Sequence, residues 1–99
     1  MKRRQMVDII AGRVNPDGTI AVGQGFRVAK VAVGIYDILF PPDFHIIAAT
    51  ASGHSTSYAP TVIPQEFSEG ASFRVGINNT SNAAAADTSF SFVAVGYSI

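Results

Sequence analysis

The last segment of the chain, Ser89–Tyr97, is apolar on both sides of a predicted strand, and this pattern constrains the fold more than any other. Successive residues of a β-strand point to opposite faces of the sheet. One face of this strand carries Phe90, Phe92 and Ala94, and the other carries Val93, Val95 and Tyr97. Apolar side chains on both faces are typical of strands that are covered on both sides. Because a domain of 99 residues covers one face with its own core, we expect another copy of the chain to cover the second face.

The composition also favours an assembly. Nearly half of the residues are hydrophobic (47%), only 14% are charged, and the formal net charge is zero. Small soluble domains usually carry a net charge that keeps their copies apart, so a neutral and apolar chain is typical of one that hides surface in an oligomer. The balanced charge argues against nucleic acid as a partner, since nucleic-acid binding requires a basic surface. No apolar run reaches the ~18 residues that a membrane-spanning helix needs, and we predict no membrane insertion.

Apolar and polar residues alternate with a period of two along almost the whole chain, and turn-forming residues recur at intervals typical of a sandwich or barrel. We therefore predict an all-β fold, an antiparallel β-sandwich of about seven to eight strands, in a head domain that covers residues 6–99. Residues 1–5, which include Lys2-Arg3-Arg4, are predicted to be a basic tail or a junction to an upstream segment. The chain has no cysteine, which excludes disulfides and thiolate sites.

Individual strands and turns follow from the same pattern. The first strand is predicted over residues 6–14 and, like the last, is apolar on both sides. The segment Asn15-Pro16-Asp17-Gly18 has the residues that a β-turn prefers at successive positions. The extended segment Tyr58–Phe67 contains two prolines and is predicted to lie at a sheet edge, since proline cannot donate to a strand ladder. A half-buried strand is predicted where the alternation is cleanest, at Phe73, Val75 and Ile77.

No set of residues predicts catalysis. The carboxylates are not spaced to place two of them on one strand face for acid–base chemistry, and no Gly-x-Ser-x-Gly motif occurs. Asp17 is predicted to be a turn residue, and Asp87 to accept backbone hydrogen bonds before the final strand. Asp37, which lies between apolar neighbours, is expected to face a charged partner, such as Lys30, across a hairpin. We therefore predict that the protein is not an enzyme and binds no cofactor.

The two histidines, His45 and His54, have no carboxylate companion, and a single chain is predicted to hold no metal ion. A symmetric trimer leaves one alternative open, because a histidine near the threefold axis becomes three imidazoles. Three imidazoles are a sufficient set of protein ligands for a metal such as zinc.

Two polar loops are the candidates for recognition, since loops on a rigid β scaffold often carry binding residues. One covers residues 52–58 and the other residues 78–82. Their hydroxyl and amide groups match the hydrogen-bonding groups of sugars, and the flat rings of His54 and Tyr58 suit stacking on a sugar ring. The alternative is that both segments are simply solvated loop tips. The candidate ligand-binding residues are His54, Ser55, Thr56, Tyr58, Asn78 and Asn79.

Several short motifs occur in a distinctive order along the chain. They are Gly12-Arg13-Val14-Asn15, Asp17-Gly18-Thr19-Ile20, Gly23-Gln24-Gly25-Phe26-Arg27-Val28, Gly34-Ile35-Tyr36-Asp37-Ile38-Leu39-Phe40, Phe73-Arg74-Val75 and Asp87-Thr88-Ser89-Phe90-Ser91-Phe92-Val93-Ala94-Val95-Gly96. In this order they resemble the C-terminal head, or knob, domain of bacteriophage tail fibres and receptor-binding proteins. The resemblance covers essentially the whole chain. It implies a homotrimeric β-sandwich head, extracellular at the tip of a virion tail fibre, that attaches to a bacterial surface.

Pattern and resemblance together predict a non-enzymatic homotrimer that adheres to a bacterial cell-surface receptor, either a glycan or a protein, through three linked sites. Three alternatives remain open: a purely structural module that trimerises or caps a fibre, a small lectin-like glycan-binding protein, and a glycan hydrolase whose site is shared between subunits. The predicted subunit interface consists of apolar residues from the first and last strands, namely Val7, Ile9, Val93, Val95 and Tyr97.

Overall fold

The computed structural model describes residues 7–64 and 72–98, and this part of the chain forms eight β-strands and no helix. The strands are β1 (Asp8–Val14), β2 (Ile20–Val22), β3 (Arg27–Ala32), β4 (Ile35–Leu39), β5 (Phe44–Gly53), β6 (Tyr58–Pro64), β7 (Ser72–Asn79) and β8 (Phe90–Ser98).

These strands form two four-stranded sheets that pack face to face. The first sheet has the order β2-β1-β8-β5, and the second sheet has the order β3-β4-β7-β6. Every neighbouring pair is antiparallel. One cluster of buried residues draws side chains from both sheets and forms the core between them. The predicted all-β antiparallel sandwich is therefore confirmed.

The bounds of three strands differ from their predictions. β8 covers Phe90–Ser98 rather than Ser89–Tyr97. β1 begins at Asp8, and residues 1–6, which include the predicted basic tail, lie outside the described residues. β6 ends at Pro64, so the last three residues of the extended segment predicted over 58–67 also lie outside them. β6 is an edge strand of the second sheet, as its two prolines indicated.

The inward faces of the strands carry the residues that the alternation predicted. Phe90, Phe92 and Ala94 of β8 are each at most 2% exposed. The ring of Phe92 packs edge-to-face on Phe26, with 4.7 Å between centroids. Such aromatic pairs add about 0.5–1.5 kcal/mol to the stabilisation that burial alone gives. The second sheet contributes an equally buried set from β4 and β7, namely Tyr36, Ile38, Phe73, Val75 and Ile77.

The predicted turn at Asn15-Pro16-Asp17-Gly18 is present between β1 and β2. The Gly18 amide donates to the Asn15 carbonyl oxygen at 2.9 Å. The Asp17 carboxylate accepts hydrogen bonds from both the hydroxyl and the amide of Thr19, at 2.6 and 3.0 Å. The hydroxyl bond is the main reason that the pKa of Asp17 lies below its usual value. Asp17 is thus a turn residue, as predicted.

Four loops lie at one end of the sandwich because each joins two antiparallel strands at the same side. They are residues 15–19, 33–34, 54–57 and 80–89. We call this the loop end; it contains His54, Ser55 and Thr56, and the other predicted ligand-binding residues lie in the strands that border it.

Candidate functional site

Hydrogen bonds join the two predicted recognition loops at the loop end. The amide of Thr80 donates to the carbonyl oxygen of Ser57 at 2.9 Å, and the Thr80 hydroxyl donates to the carbonyl oxygen of Thr56 at 3.1 Å. Asn79, at the end of β7, pairs with Tyr58, at the start of β6. The structure therefore brings the segments 54–58 and 78–82 together into one continuous surface.

His54 fixes the β5–β6 loop to the start of the last strand. Its Nδ1 atom lies 2.9 Å from the hydroxyl of Ser89, and its Nε2 atom lies 2.8 Å from the hydroxyl of Ser91. Each hydroxyl can donate or accept, so one ring nitrogen donates and the other accepts in the neutral imidazole. The ring is exposed. His54 is therefore presented to solvent in a fixed orientation.

The amides of Asn78 and Asn79 shape the loop that follows them. Both residues, which the sequence placed in a loop, are the last two residues of β7. The side-chain amide of Asn78 donates to the carbonyl oxygen of Ala83 at 2.9 Å. The Asn79 side-chain oxygen accepts from the amide and the hydroxyl of Ser81, at 2.9 and 2.7 Å. These bonds hold residues 80–84 in a compact turn, in which Ala83 has a positive φ of 61°.

The remaining predicted ligand-binding residues differ in exposure. Ser55 and Thr56 are exposed at the tip of the β5–β6 loop, where the Ser55 hydroxyl oxygen accepts a hydrogen bond from the Ser57 amide at 3.1 Å. Tyr58, by contrast, is half-buried and packs against the core cluster. Its ring therefore offers less flat surface to a ligand than the sequence suggested, and His54 is the better exposed of the two rings.

A partly buried network that the sequence analysis missed supports the loop end. The Asp87 carboxylate accepts a hydrogen bond from the Gly34 amide at 2.7 Å and forms an ion pair with Lys30 at 3.2 Å. The bond from Gly34 is the main reason that the pKa of Asp87 is lowered. The predicted role of Asp87 as an acceptor of backbone hydrogen bonds is confirmed. The carboxylate joins the β3–β4 turn to the β7–β8 loop.

Tyr36 extends this network to a third loop. Its ring is fully buried, and its hydroxyl donates to the carbonyl oxygen of Pro16 at 2.6 Å. The same hydroxyl lies 3.4 Å from Asp87. Burial, and then the nearby negative charge, raise the pKa of Tyr36 to about 12. Tyr36 and Asp87 thus connect three of the four loops of the loop end.

Asp37 has a charged partner, as predicted, but that partner is not Lys30. Asp37 lies opposite Ala29 in the β3–β4 hairpin, whereas Lys30 lies opposite Tyr36 and therefore points to the other face. The partner of Asp37 is Arg74 of β7, whose Nε and Nη2 atoms donate to the two carboxylate oxygens at 2.8 and 3.2 Å. This two-pronged ion pair lies on the outward side of the second sheet, across the pairing of β4 with β7.

The outward side of the first sheet is apolar across its three longest strands. Residues directly opposite one another on neighbouring strands point to the same face. The register across β1, β8 and β5 gives one row of Ile9, Val95 and Ala48, and a second row of Ala11, Val93 and Thr50. We call these six residues the apolar face. Ile9 is 69% exposed and Val93 is 40% exposed, so this face is open to solvent on a single copy of the chain.

The predicted interface residues lie on or beside the apolar face. Ile9, Val93 and Val95 belong to it, and Val7, just before β1, is 58% exposed. Tyr97 lies opposite His45, and the two rings stack at 5.3 Å beside the face. At the loop end, a polar row follows the face, formed by Arg13, Ser91 and Ser52.

Among the described residues, two concavities with mainly apolar linings lie away from the loop end. One, of about 290 Å³, opens between β5, β6 and β7 and is lined by Ile46, Ile47, Ala48, Ala49, Val62, Ser72 and Phe73. The other, of about 360 Å³, lies at the opposite end of the sandwich and is lined by Gly25, Phe26, Arg27, Leu39, Phe40, Pro41 and Pro42. Neither contains a residue that the sequence analysis assigned to ligand binding.

Residues 7–64 and 72–98 contain no group of three or more histidine, cysteine, aspartate or glutamate side chains arranged to hold a metal ion. His45 and His54 lie at opposite ends of β5 and have different partners. Over the same residues, no helix is long and apolar enough to cross a membrane.

No family model, curated protein or solved structure matches the chain.

Proposed function

We propose that the chain is the head domain of a bacteriophage tail fibre, which associates as a homotrimer and adheres to a glycan on the bacterial surface. The observation that carries this proposal is the apolar face. Ile9 and Val93 leave large apolar side chains open to water on strands that otherwise belong to a well-packed sandwich. Contiguous apolar surface of this kind usually marks an interface.

A second copy of the same chain is the occupant that fits this face. The chain has no net charge, and neither row of the apolar face contains a charged residue. An apolar, uncharged surface is typical of obligate subunit interfaces, which resemble a domain core cut in half. The threefold arrangement comes from the resemblance to tail-fibre heads.

The loop end supplies the proposed receptor-binding surface. In a trimer it occurs three times, so weak binding at each site adds up to firm attachment. His54 is held by two serine hydroxyls at 2.9 and 2.8 Å, and Ser55 and Thr56 lie beside it. A flat ring in a fixed orientation, with hydroxyl groups around it, suits a sugar ring and its hydroxyls, since rigid groups lose little freedom on binding.

A second candidate is a structural module that trimerises or caps a fibre without binding a receptor. The side chains of Asn78 and Asn79 favour it, because they form hydrogen bonds that stabilise their own loop. Under this alternative, the polar groups of the loop end serve folding rather than recognition.

Binding to an array of bacterial surface glycans distinguishes the two. The adhesion proposal predicts binding of the assembled protein to a restricted set of glycans, and loss of this binding in His54→Ala. Asp43→Ala, in the exposed β4–β5 loop at the other end of the sandwich, is the matched control and should bind normally. Absence of binding to any glycan by a correctly assembled protein would favour the structural module.

A further inference from the structure

Of the four edge strands in the described part of the chain, one is long and has no aspartate, glutamate, lysine, arginine or proline. An edge strand presents unpaired N–H and C=O groups, which proteins normally guard with charged residues, prolines, β-bulges or very short strands. Three described edges are guarded in this way: β2 has only three residues, β3 contains Arg27 and Lys30, and β6 contains Pro60 and Pro64.

β5, the fourth edge, is long and has one of these protections, an irregularity near its start. It has ten residues, none of them aspartate, glutamate, lysine, arginine or proline. Its pairing with β8 has one irregularity, between Ile46 and Ala48, and then continues without interruption from Ala48 to Gly53. One side of β5 is occupied by β8, and its other side is the edge of the first sheet. This edge offers a regular ladder to another strand.

The gap between the two sheets opens beside the same strand. At Gly53 the edges of β5 and β6 almost touch, because a Cβ atom built there would lie 3.1 Å from the Pro60 ring. Further along β5, the edges separate and leave the cavity of about 290 Å³ that is lined by Ile46, Ala49, Val62 and Phe73 among others.

We propose that β5 binds an extended, uncharged peptide segment of another protein, which adds a strand to the first sheet and inserts one large apolar side chain into this cavity. Main-chain hydrogen bonds supply affinity in this mode, and a pocket for an alternate side chain supplies selectivity. Every second side chain of the added strand points toward the second sheet and hence toward the cavity. This proposal does not rest on the proposed adhesion function.

The chemistry of the partner follows from that of β5. Among the residues that line the cavity, Ser72 alone has a polar side chain, and none is charged. A charged side chain inserted there would lose its hydration without gaining a partner, which is strongly unfavourable. The other described edges of this chain are poor donors of such a strand, because they are short, charged or rich in proline.

The test uses a blocked heptapeptide, acetyl-TITVTFT-amide, and the full chain in its assembled form. Hydrogen exchange of backbone amides, followed by NMR, should slow in β5 and remain unchanged in β2, β3 and β6. Two N-methylated forms of the peptide, each blocked along one edge, should differ: only one should bind, because an added strand pairs through a single edge.

Two protein variants with similar exposure complete the test. Ile47 is 60% exposed and lines the cavity, whereas Val33 is 56% exposed in the β3–β4 turn. Ile47→Lys should weaken peptide binding by about tenfold or more, since an edge charge opposes strand addition, and Val33→Lys should bind normally. Equal binding by both variants, binding to another edge, or no binding at millimolar peptide would overturn the proposal. Protection of β5 that rises with protein concentration in the absence of peptide would also overturn it, since the occupant would then be a second copy.

Discussion

The Gly34 amide donates a hydrogen bond of 2.7 Å to the carboxylate of Asp87, and this contact joins two loops that are 53 residues apart in the chain. Gly34 has a positive φ of 69°, and a Cβ atom built on it would lie only 2.7 Å from the Ile77 carbonyl oxygen. The turn therefore requires glycine for two reasons: its backbone conformation and its close packing against β7. The contact holds the β3–β4 turn against the β7–β8 loop at the loop end.

Substitution Gly34→Ala is expected to destabilise the protein by roughly 2 kcal/mol or more, because the left-handed conformation costs about 1 kcal/mol and the steric overlap adds to it. Gly25→Ala is the matched control. Gly25 also has a positive φ, of 91°, but its added Cβ would meet only Ile10, at 3.9 Å. Urea unfolding of both variants checks this difference. Equal losses would show that the packing of Gly34 contributes nothing.

Substitution Asp87→Asn should change the response of the protein to acid. The folded state lowers the pKa of Asp87, so its carboxylate contributes stability above the unfolded pKa, and this stability is lost as the pH falls below about 4 toward the folded pKa. The amide side chain of the variant has no such titration. Unfolding free energies measured between about pH 2 and 7 should therefore fall less steeply in the variant. If the free energy of unfolding fell equally steeply with acid in both proteins, Asp87 would have the same pKa in the folded and unfolded states.

Substitution Tyr36→Phe should change the response to alkali. The pKa of Tyr36 is raised to about 12, so the folded state holds the phenolic proton more tightly than the unfolded chain. This stability is complete below pH ~10 and is lost as the pH rises from about 10 to 12. At neutral pH the free energy of unfolding of the variant should be lower by about 1 kcal/mol, because the hydrogen bond to Pro16 is missing. Above pH ~10 it should fall less steeply with rising pH than that of the original protein. Parallel alkaline limbs in the two proteins would contradict this account.

Substitution Val95→Asp should prevent assembly and leave the fold intact. Val95 lies at the centre of the first row of the apolar face, between Ile9 and Ala48. An unpaired charge buried in an interface costs several kcal/mol, and the cost recurs in every subunit. Val31→Asp, at a position 51% exposed on β3, is the control and should assemble normally. Sedimentation velocity distinguishes the two variants. If Val95→Asp retained the assembled mass, Val95 would not lie in the subunit interface.

The sequence predicted those parts of the fold that depend on local periodicity. Phe73, Val75 and Ile77 alternate with small or polar residues, and all three are buried. The turn at residues 15–18 was predictable because each of its residues suits its own position. Pro60 and Pro64 likewise indicated an edge strand.

The contacts that were predicted wrongly, or not predicted, all depend on which strands distant in the chain pair with each other and in which register. Asp37 pairs with Arg74, 37 residues away, because β4 lies beside β7, and no local pattern specifies that neighbour. The irregularity in β3 between Lys30 and Ala32 also changes which residues share a face beyond it. His54 binds Ser91 across a similar separation. The polar residue types of the two loops are evident from the sequence, but the hydrogen bonds that orient their side chains are not.

The mass of the protein in solution, measured by light scattering over a range of concentrations, tests the central claim most directly. The apolar face of a single copy leaves Ile9 and Val93 exposed, and the proposal covers them with further copies of the chain. We predict a particle of three times the 10.4 kDa chain mass, which persists on dilution. A stable particle of 10.4 kDa at high concentration would contradict self-association, and a twofold mass would contradict the threefold arrangement.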